Sequence, residues 1–569
     1  MRWELPDDRA YLSVVLITGI SILMRLYNLG FRMAHWDEGR VGYRILEYLQ
    51  TGVYQYRPIV HGPFLFQVNR RVFSLMGASD FTARWIVAII GGLLPAAAWL
   101  YRDRLTDAEV VGLAIFFAFN PILVYYSRFM RNDMLVATFM VFALGWFIRA
   151  YDHKNTWSLY FGTAAFALGF TTKENAVMYA GIWIGALILL FDHRLFFARL
   201  SEQRWTDKAS AIISNIISGL IDTWKPIVLA IIEFVIIITV FYAPRPEFWQ
   251  AFSSPSMFPG LVSKALFGSA QELYSTWIVG GHQAHPYLSF FEDYIKTLRA
   301  GALPLVILAI GGFILDRYSG DSPNDLVAFA SYWGFASLLL YPLASDIPAP
   351  WNTIHTIVPL AIPAAVALAF IFKQAKDAMA EDDQISVGLI AVIFLAIFAQ
   401  MGYTTVNRAY LHPQTPSPIV QYGQPADNMK PVLEDVQQIS QANDGVDVLY
   451  FGSHFEKSWF NKLPLPWYLE QYNAKTNTVG LSSRLSEPLP PIIFAVGDKS
   501  DVSGSTASDI RSKLENYREI GSYALVLPLP ANKVYVTVFI RQSYLNQQSS
   551  LQHFQQEEIS EPPVVATHP

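Results

Sequence analysis

The chain has 569 residues, of which 53% are hydrophobic and only 15% charged, with a net charge of −5 and no cysteine. Soluble chains carry about 25% charged residues, so an ordinary soluble protein is excluded, and the small acidic net charge offers nothing to a nucleic acid. Disulfides and thiolate chemistry are excluded as well, which leaves the redox compartment open.

Apolar runs long enough to cross about 30 Å of hydrocarbon recur down the chain. They predict an α-helical polytopic membrane protein with about 11 transmembrane helices. The spans fall near 10–30, 84–101, 108–127, 133–150, 157–172, 175–191, 226–244, 301–316, 326–344, 354–372 and 385–403. The first run lacks a small-residue cleavage site and is followed by many others, so it reads as a retained helix rather than a signal peptide. One set of connections is basic: Arg102 with Arg104, Arg149 with Lys154, the 192–225 loop, and Lys373 with Lys376. By the positive-inside rule these are cytoplasmic, which predicts a multi-pass plasma-membrane protein with its N-terminus inside and its C-terminal domain outside. The first external loop, 31–83, is itself basic (Arg32, Arg40, Arg44, Arg57, Arg70, Arg71). Two explanations stand side by side. Long loops obey the rule weakly, or these arginines face an anionic ligand.

That loop carries His35-Trp36-Asp37-Glu38-Gly39-Arg40. Adjacent carboxylates at a membrane surface serve as a general base or hold a divalent cation, and they also occur as plain solvated pairs at helix ends. Further along, His61-Gly62-Pro63 forms a turn between two amphipathic interfacial helices. Arg128, Arg131 and Asp133 close the third span, and Lys173 with Glu174 closes the fifth. Asp133 and Glu174 each have a reading as helix caps. Yet all these charges gather on one predicted membrane face, and ionisable groups at membrane depth are costly enough to mark a functional site. Cations suit a phosphate, and carboxylates suit activation of a hydroxyl or amine. Pro350-Trp351 with His355 lies at another outer helix entry, where Trp351 also reads as a belt aromatic. His282 and His285 in the second external loop, 245–300, read as loop structure, since no third ligand stands at metal-ligand spacing.

After residue 403 the pattern changes. Pro431–Asn443 reads as an amphipathic helix, and Val446–Gly452, Pro491–Gly497, Tyr523–Pro528 and Val534–Ile540 read as strands, with a helix near Ser508–Tyr517. This predicts a soluble α/β domain over 404–544, following a transmembrane domain over 1–403. The Gln-, Ser-, Glu- and Pro-rich tail, 545–569, reads as disordered. Pro464-Leu465-Pro466-Trp467-Tyr468 fits either a stacking surface or a buried turn.

Over about residues 1–200 these stations resemble the GT-C class of membrane glycosyltransferases, the group of protein O-mannosyltransferases and lipid A aminoarabinose transferases. The matching residues are Asp37-Glu38 with Arg40, His61-Gly62-Pro63, Arg128 with Arg131 and Asp133, and Thr172-Lys173. Trp36-Asp37-Glu38, Thr172-Lys173-Glu174 and Pro350-Trp351 with His355 resemble more closely a GT-C-like family of archaea and some bacteria, named for an association with flippase activity in archaeal protein glycosylation. The lysine of the aminoarabinose group's Gly-Lys-Pro-Pro segment is absent here (His61-Gly62-Pro63-Phe64), which argues against that group's own substrate.

The resemblance implies an inverting transferase that moves a sugar from a polyprenyl- or dolichyl-phosphate donor to a protein, lipid or glycan acceptor on the external face. Asp37 would be the base, with Glu38 beside it. Arg40, Arg128, Arg131 and Lys173 would hold the donor phosphate. Trp36, His61, Asp133, Glu174, Trp351 and His355 would line the substrate site. A divalent metal on Glu38 and His61 fits the same picture. The alternatives are a flippase-associated protein that binds a lipid-linked sugar without transferring it, and a non-catalytic scaffold.

Overall fold

A computed structural model of the chain describes residues 9–53, 61–200, 210, 213–214, 224–243, 245–270, 287–318, 323–343, 349–420, 423–479, 488–497, 514–525 and 535–546. His282, His285, most of the 192–225 loop, residues 508–513 of the expected helix and the tail beyond 546 lie outside the described residues. The chain divides into two compact units, one of 1–31 with 47–420, the other of 32–46 with 421–569. The expected partition fell after residue 403 and did not assign 32–46 to the later unit.

The first unit is helical. In chain order its helices are α1 (Arg9–Leu26), α2 (Trp36–Thr51, whose first turns belong to the second unit), α3 (Phe64–Met76), α4 (Asp80–Leu93), α5 (Asp107–Phe119), α6 (Pro121–Ser127), α7 (Asn132–His153), α8 (Thr156–Thr172), α9 (Asn175–Leu200), α10 (Trp224–Tyr242), α11 (Tyr287–Tyr318), α12 (Asp325–Leu343), α13 (Ile354–Ala380) and α14 (Gln384–Val406). Short helices at Arg245–Ser253 and Phe258–Ser263 follow α10. Among the described residues, 8 helices are long and apolar enough to cross a membrane, or 9 if a bent pair counts as one span. The expected 11 differ because two of them are short. α8 has 17 residues, about 26 Å at 1.5 Å per residue and so below the hydrocarbon thickness. The apolar part of α9, Asn175–Phe191, is short as well.

The remaining expected run, 108–127, is broken by Pro121 into α5 and α6, which meet at 53°. Proline has no N–H and clashes with the preceding turn. Asn120 caps the new helix, its side-chain oxygen accepting from the amides of Ile122 (3.1 Å) and Leu123 (3.3 Å). The buried guanidinium of Arg25 donates to the carbonyls of Phe117 (3.1 Å) and Ala118 (3.0 Å) just before the break. Backbone groups freed at membrane depth need such internal partners. α13 lies at the centre, packed against α5, α7, α11 and α12. Its Ala361, Ala364, Ala365 and Ala367 are buried, and Gly312 of α11 meets the Pro363 carbonyl so closely that a Cβ would not fit. Small residues let membrane helices approach in this way.

The second unit contains a five-stranded sheet of order β2-β1-β3-β5-β4. The strands are β1 (Val446–Phe451), β2 (Ala474–Val479), β3 (Ile492–Gly497), β4 (Tyr517–Ala524) and β5 (Tyr535–Arg541), with α15 (Met429–Ala442) before β1 and α16 (Leu465–Gln471) before β2. β1 runs parallel to β2 and β3, and β5 antiparallel to β3 and β4. Leu449, Phe451, Ile493 and Phe539 form part of its core. β4 begins at Tyr517, where the sequence suggested the end of a helix, and Trp467 and Tyr468 are buried, which settles that segment as a packed turn of helix.

Candidate functional site

Within the second unit, the segment Arg32–Leu46 packs on the sheet domain's own residues. A Cβ on Gly39 would come 2.6 Å from Pro464 Cβ, and one on Gly42 would come 2.5 Å from the Trp467 ring. Both glycines are therefore places of close approach that a side chain would prop apart. Tyr468 Oη accepts from the Ala34 amide at 2.6 Å, and Trp36 Nε1 donates to the Phe460 carbonyl at 3.0 Å with the two rings stacked.

Asp37 and Glu38 stand in the first turn of α2, where the helix dipole favours anions. Glu38 Oε2 accepts from the His35 amide at 2.9 Å and pairs with Arg32 Nη2 at 2.9 Å. Glu38 is thus a helix cap and a buried ion-pair partner. Asp37 is also buried. Its Oδ1 pairs with Arg40 Nη2 at 3.1 Å, and its amide donates to His35 Nδ1 at 3.0 Å. The Arg40 guanidinium also lies 5.3 Å from the Trp36 ring centroid.

Within the first unit a second cluster is built from four separate segments. Asp133, in the first turn of α7, receives Lys173 Nζ on Oδ1 at 2.7 Å and Arg131 Nε on Oδ2 at 3.3 Å. His355 Nε2 reaches the same Oδ1 at 3.4 Å. The Arg131 guanidinium lies over the Trp351 ring at 3.7 Å. His355 is wholly buried, with Nε2 3.0 Å from Asn175 Nδ2, Nδ1 2.8 Å from Tyr179 Oη, and the Tyr341 ring stacked at 4.4 Å. His355, expected in the substrate site, is held here at both ring nitrogens and on one face.

His61 adopts φ 65°, uncommon for a residue with a side chain. Gly62 follows, its amide donating to the Thr172 carbonyl at 3.0 Å and its Cα too close to Thr171 for a Cβ. This turn seats His61 Nδ1 on Glu174 Oε2 at 3.0 Å. Burial holds the His61 imidazole below its ordinary pKa, more strongly than Glu174 raises it. Burial pushes Glu174 up, but His61 and Lys173 outweigh it and leave the carboxylate below its usual range.

Arg128, expected at the phosphate, gathers backbone carbonyls. Its guanidinium donates to the carbonyls of Met24 (3.2 Å), Arg25 (2.9 Å), Tyr27 (2.6 Å) and Asn28 (3.2 Å), and it stacks on Tyr410 at 4.5 Å. A helix leaves its last carbonyls unpaired, and here a cation collects those of α1. Among the described residues no three His, Asp or Glu side chains converge as a metal site, and Glu38 Oε2 is already held by Arg32.

Residues 60–218 match the family model described as dolichyl-phosphate-mannose-protein mannosyltransferase, and residues 429–541 match the Agl23 flippase-associated protein C-terminal domain. Over those two stretches the chain is similar to the membrane mannosyltransferases and to the Agl23 family. The fold is shared with ArnT from Cupriavidus metallidurans bound to undecaprenyl phosphate, at 13% identity and a TM-score of 0.55, covering 95% of this chain and 98% of that one. The apo state of the same protein aligns at 15% identity and a TM-score of 0.54, covering 94% and 99%. No curated protein matches the chain.

Sequence reasoning missed Arg25, Asn175, Tyr179 and Tyr341. An arginine inside the first apolar run was a usable signal, since charges at membrane depth need a reason. Asn175 and Tyr179, four residues apart, share a helix face with each other, but nothing in the sequence points that face at His355.

Proposed function

We propose that the chain transfers a sugar from a polyprenyl- or dolichyl-phosphate donor to a protein, lipid or glycan acceptor on the external face, with inversion. The observation that carries this reading is the pair of cations, buried Lys173 and partly buried Arg131, sharing one carboxylate, Asp133. Arg131 suits a phosphate through its fork and Lys173 as a point charge. The mannosyltransferase match over 60–218 includes all three residues, and ArnT was solved with undecaprenyl phosphate.

In this reading the acceptor oxygen attacks the anomeric carbon while its proton passes to the Asp37 carboxylate. The bond from that carbon to the phosphate oxygen breaks, and polyprenyl phosphate leaves with the electron pair. Lys173 and Arg131 stabilise that developing charge. Arg40 pairs with Asp37 Oδ1 at 3.1 Å and holds the carboxylate in place. Glu38 holds the first turn of α2, and through it the position of Asp37. No step passes through a metal.

Asp37→Asn keeps the shape of the side chain and removes the base. Purified protein in lipid nanodiscs, given a polyprenyl-phosphate sugar and acceptor, is expected to lose transfer while unfolding at the wild-type temperature. Full turnover in Asp37→Asn would rule this role out. The Agl23-type C-terminal domain supports a second reading, binding of a lipid-linked sugar without transfer. In that case donor binding is seen but no product forms with any acceptor.

A further inference from the structure

The hydrogen-bonded chain Asp133–His355–Tyr179 does not end at Tyr179. Rings continue from it in unbroken contact. Tyr341 stacks on His355, Tyr179 meets Trp333 at 5.5 Å, and Trp333 meets Trp183 at 5.7 Å. These side chains lie on two facing helices, α9 and α12, which pack together. Asn175, Tyr179 and Trp183 recur every four residues on α9, and Trp333, Ser337 and Tyr341 do the same on α12. Each set is therefore one stripe of its helix.

Four polar atoms along this seam have no hydrogen-bond partner among the described residues: Trp183 Nε1, Trp333 Nε1, Ser337 Oγ and Tyr341 Oη. All four residues are more than nine-tenths buried. One orphaned group in an interior is unremarked, but four in one seam beside a charged cluster are not, because a buried donor left unpaired forfeits its hydration for nothing. Two are indole N–H groups, which only donate, and two are hydroxyls, which donate and accept. Such a set is complementary to water, which accepts two bonds and donates two, and a buried water typically makes about 3 hydrogen bonds to groups of this kind.

We propose that the seam between α9 and α12 is an internal hydration site. Ordered water molecules accept from Trp183 and Trp333 and bridge Ser337 and Tyr341, extending the network that ends on Asp133. The seam residues are then positioning residues. They fix the His355 ring, His355 fixes the Asp133 carboxylate, and Asp133 fixes Lys173 and Arg131. Only this last link rests on the donor-phosphate reading given above.

The test is radiolytic hydroxyl-radical footprinting of the full-length protein in nanodiscs. It oxidises side chains beside bound water whether or not bulk solvent reaches them. Trp333 and Tyr341, at 1% and 2% exposure, are expected to be modified along with exposed Trp157 and Tyr151. In parallel, Tyr341→Phe, which deletes one oxygen and keeps the ring, is expected to lower the unfolding midpoint and to weaken undecaprenyl phosphate binding about threefold or more. Rescue by Ser337→Ala is not expected, since that change removes a second partner. Unmodified rings, or an unchanged or raised midpoint in Tyr341→Phe, would overturn the hydration site. An unchanged lipid affinity would overturn the positioning link. If wild-type protein binds no undecaprenyl phosphate, the donor reading fails while the footprint and midpoint still decide hydration.

Discussion

The two charged clusters of this chain are built on opposite principles. Around Asp37 the partners are close in sequence: Glu38 bonds a backbone three residues away, and Arg40 pairs with Asp37 at the same spacing. Around Asp133 they are far apart, Lys173 at a separation of 40 residues and His355 at 222. A helix terminus suffices to form the first, because the dipole and the free amides of α2 already favour carboxylates there. The second exists only when α7, α8, α9 and α13 are packed. The first should therefore tolerate loss of one charge with its fold intact, whereas the second should not.

The largest effect that tests this contrast is at Asp37. Its replacement by Asn is expected to lower transfer by about 10²–10⁴-fold, the usual contribution of a general base, at an unchanged unfolding midpoint. A midpoint that fell with activity would erase the difference between the clusters. Next is Asp133→Asn, which leaves buried Lys173 and partly buried Arg131 without their carboxylate. Breaking a buried pair on one side costs about 3–5 kcal/mol, to be read as a depressed midpoint in thermal unfolding. A wild-type midpoint would mean the cluster is not held as one piece.

Gly39→Ala probes the local cluster by another route. Its Cβ would press on Pro464, and such overpacking costs about 1–3 kcal/mol. Loss of transfer should follow from displacement of Asp37. The effect is absent if the α2 segment does not rest on Pro464.

The smallest expected effect is pH dependence through His61 and Glu174. Both folded pKa values lie below the ordinary 6.5 and 4.5. The unfolded chain then binds protons first, so their contribution to stability is full above about pH 6.5 and falls as pH drops, His61 acting before Glu174. His61→Gln should flatten the midpoint just below about pH 6.5 and, because His61 also holds Glu174 down, weaken the decline at lower pH as well. A curve that keeps its slope in that window would put the titration elsewhere.

Legibility in the sequence follows the same division. Apolar runs located the helices because lipid demands length and hydrophobicity from each span alone. The break at Asn120-Pro121 was missed within one run, since the run stays apolar while the proline turns it. Three strands were read close to their bounds, whereas β2, Ala-Lys-Thr-Asn-Thr-Val, was not, because an edge strand with exposed polar residues shows no alternation. The site residues themselves were named from motifs. Their roles were less visible, since Arg128 looks the same in sequence whether it meets a phosphate or the carbonyls ending α1.

The most direct test of the division of labour is equilibrium binding of a polyprenyl-phosphate sugar to wild type, Asp37→Asn and Lys173→Met in nanodiscs. Asp37→Asn is expected to bind the donor as wild type does and fail to turn it over, while Lys173→Met loses about tenfold or more in affinity, the scale of one charged hydrogen bond. Wild-type donor affinity in Lys173→Met, or lost affinity in Asp37→Asn, would contradict the assignment of phosphate to one cluster and proton to the other.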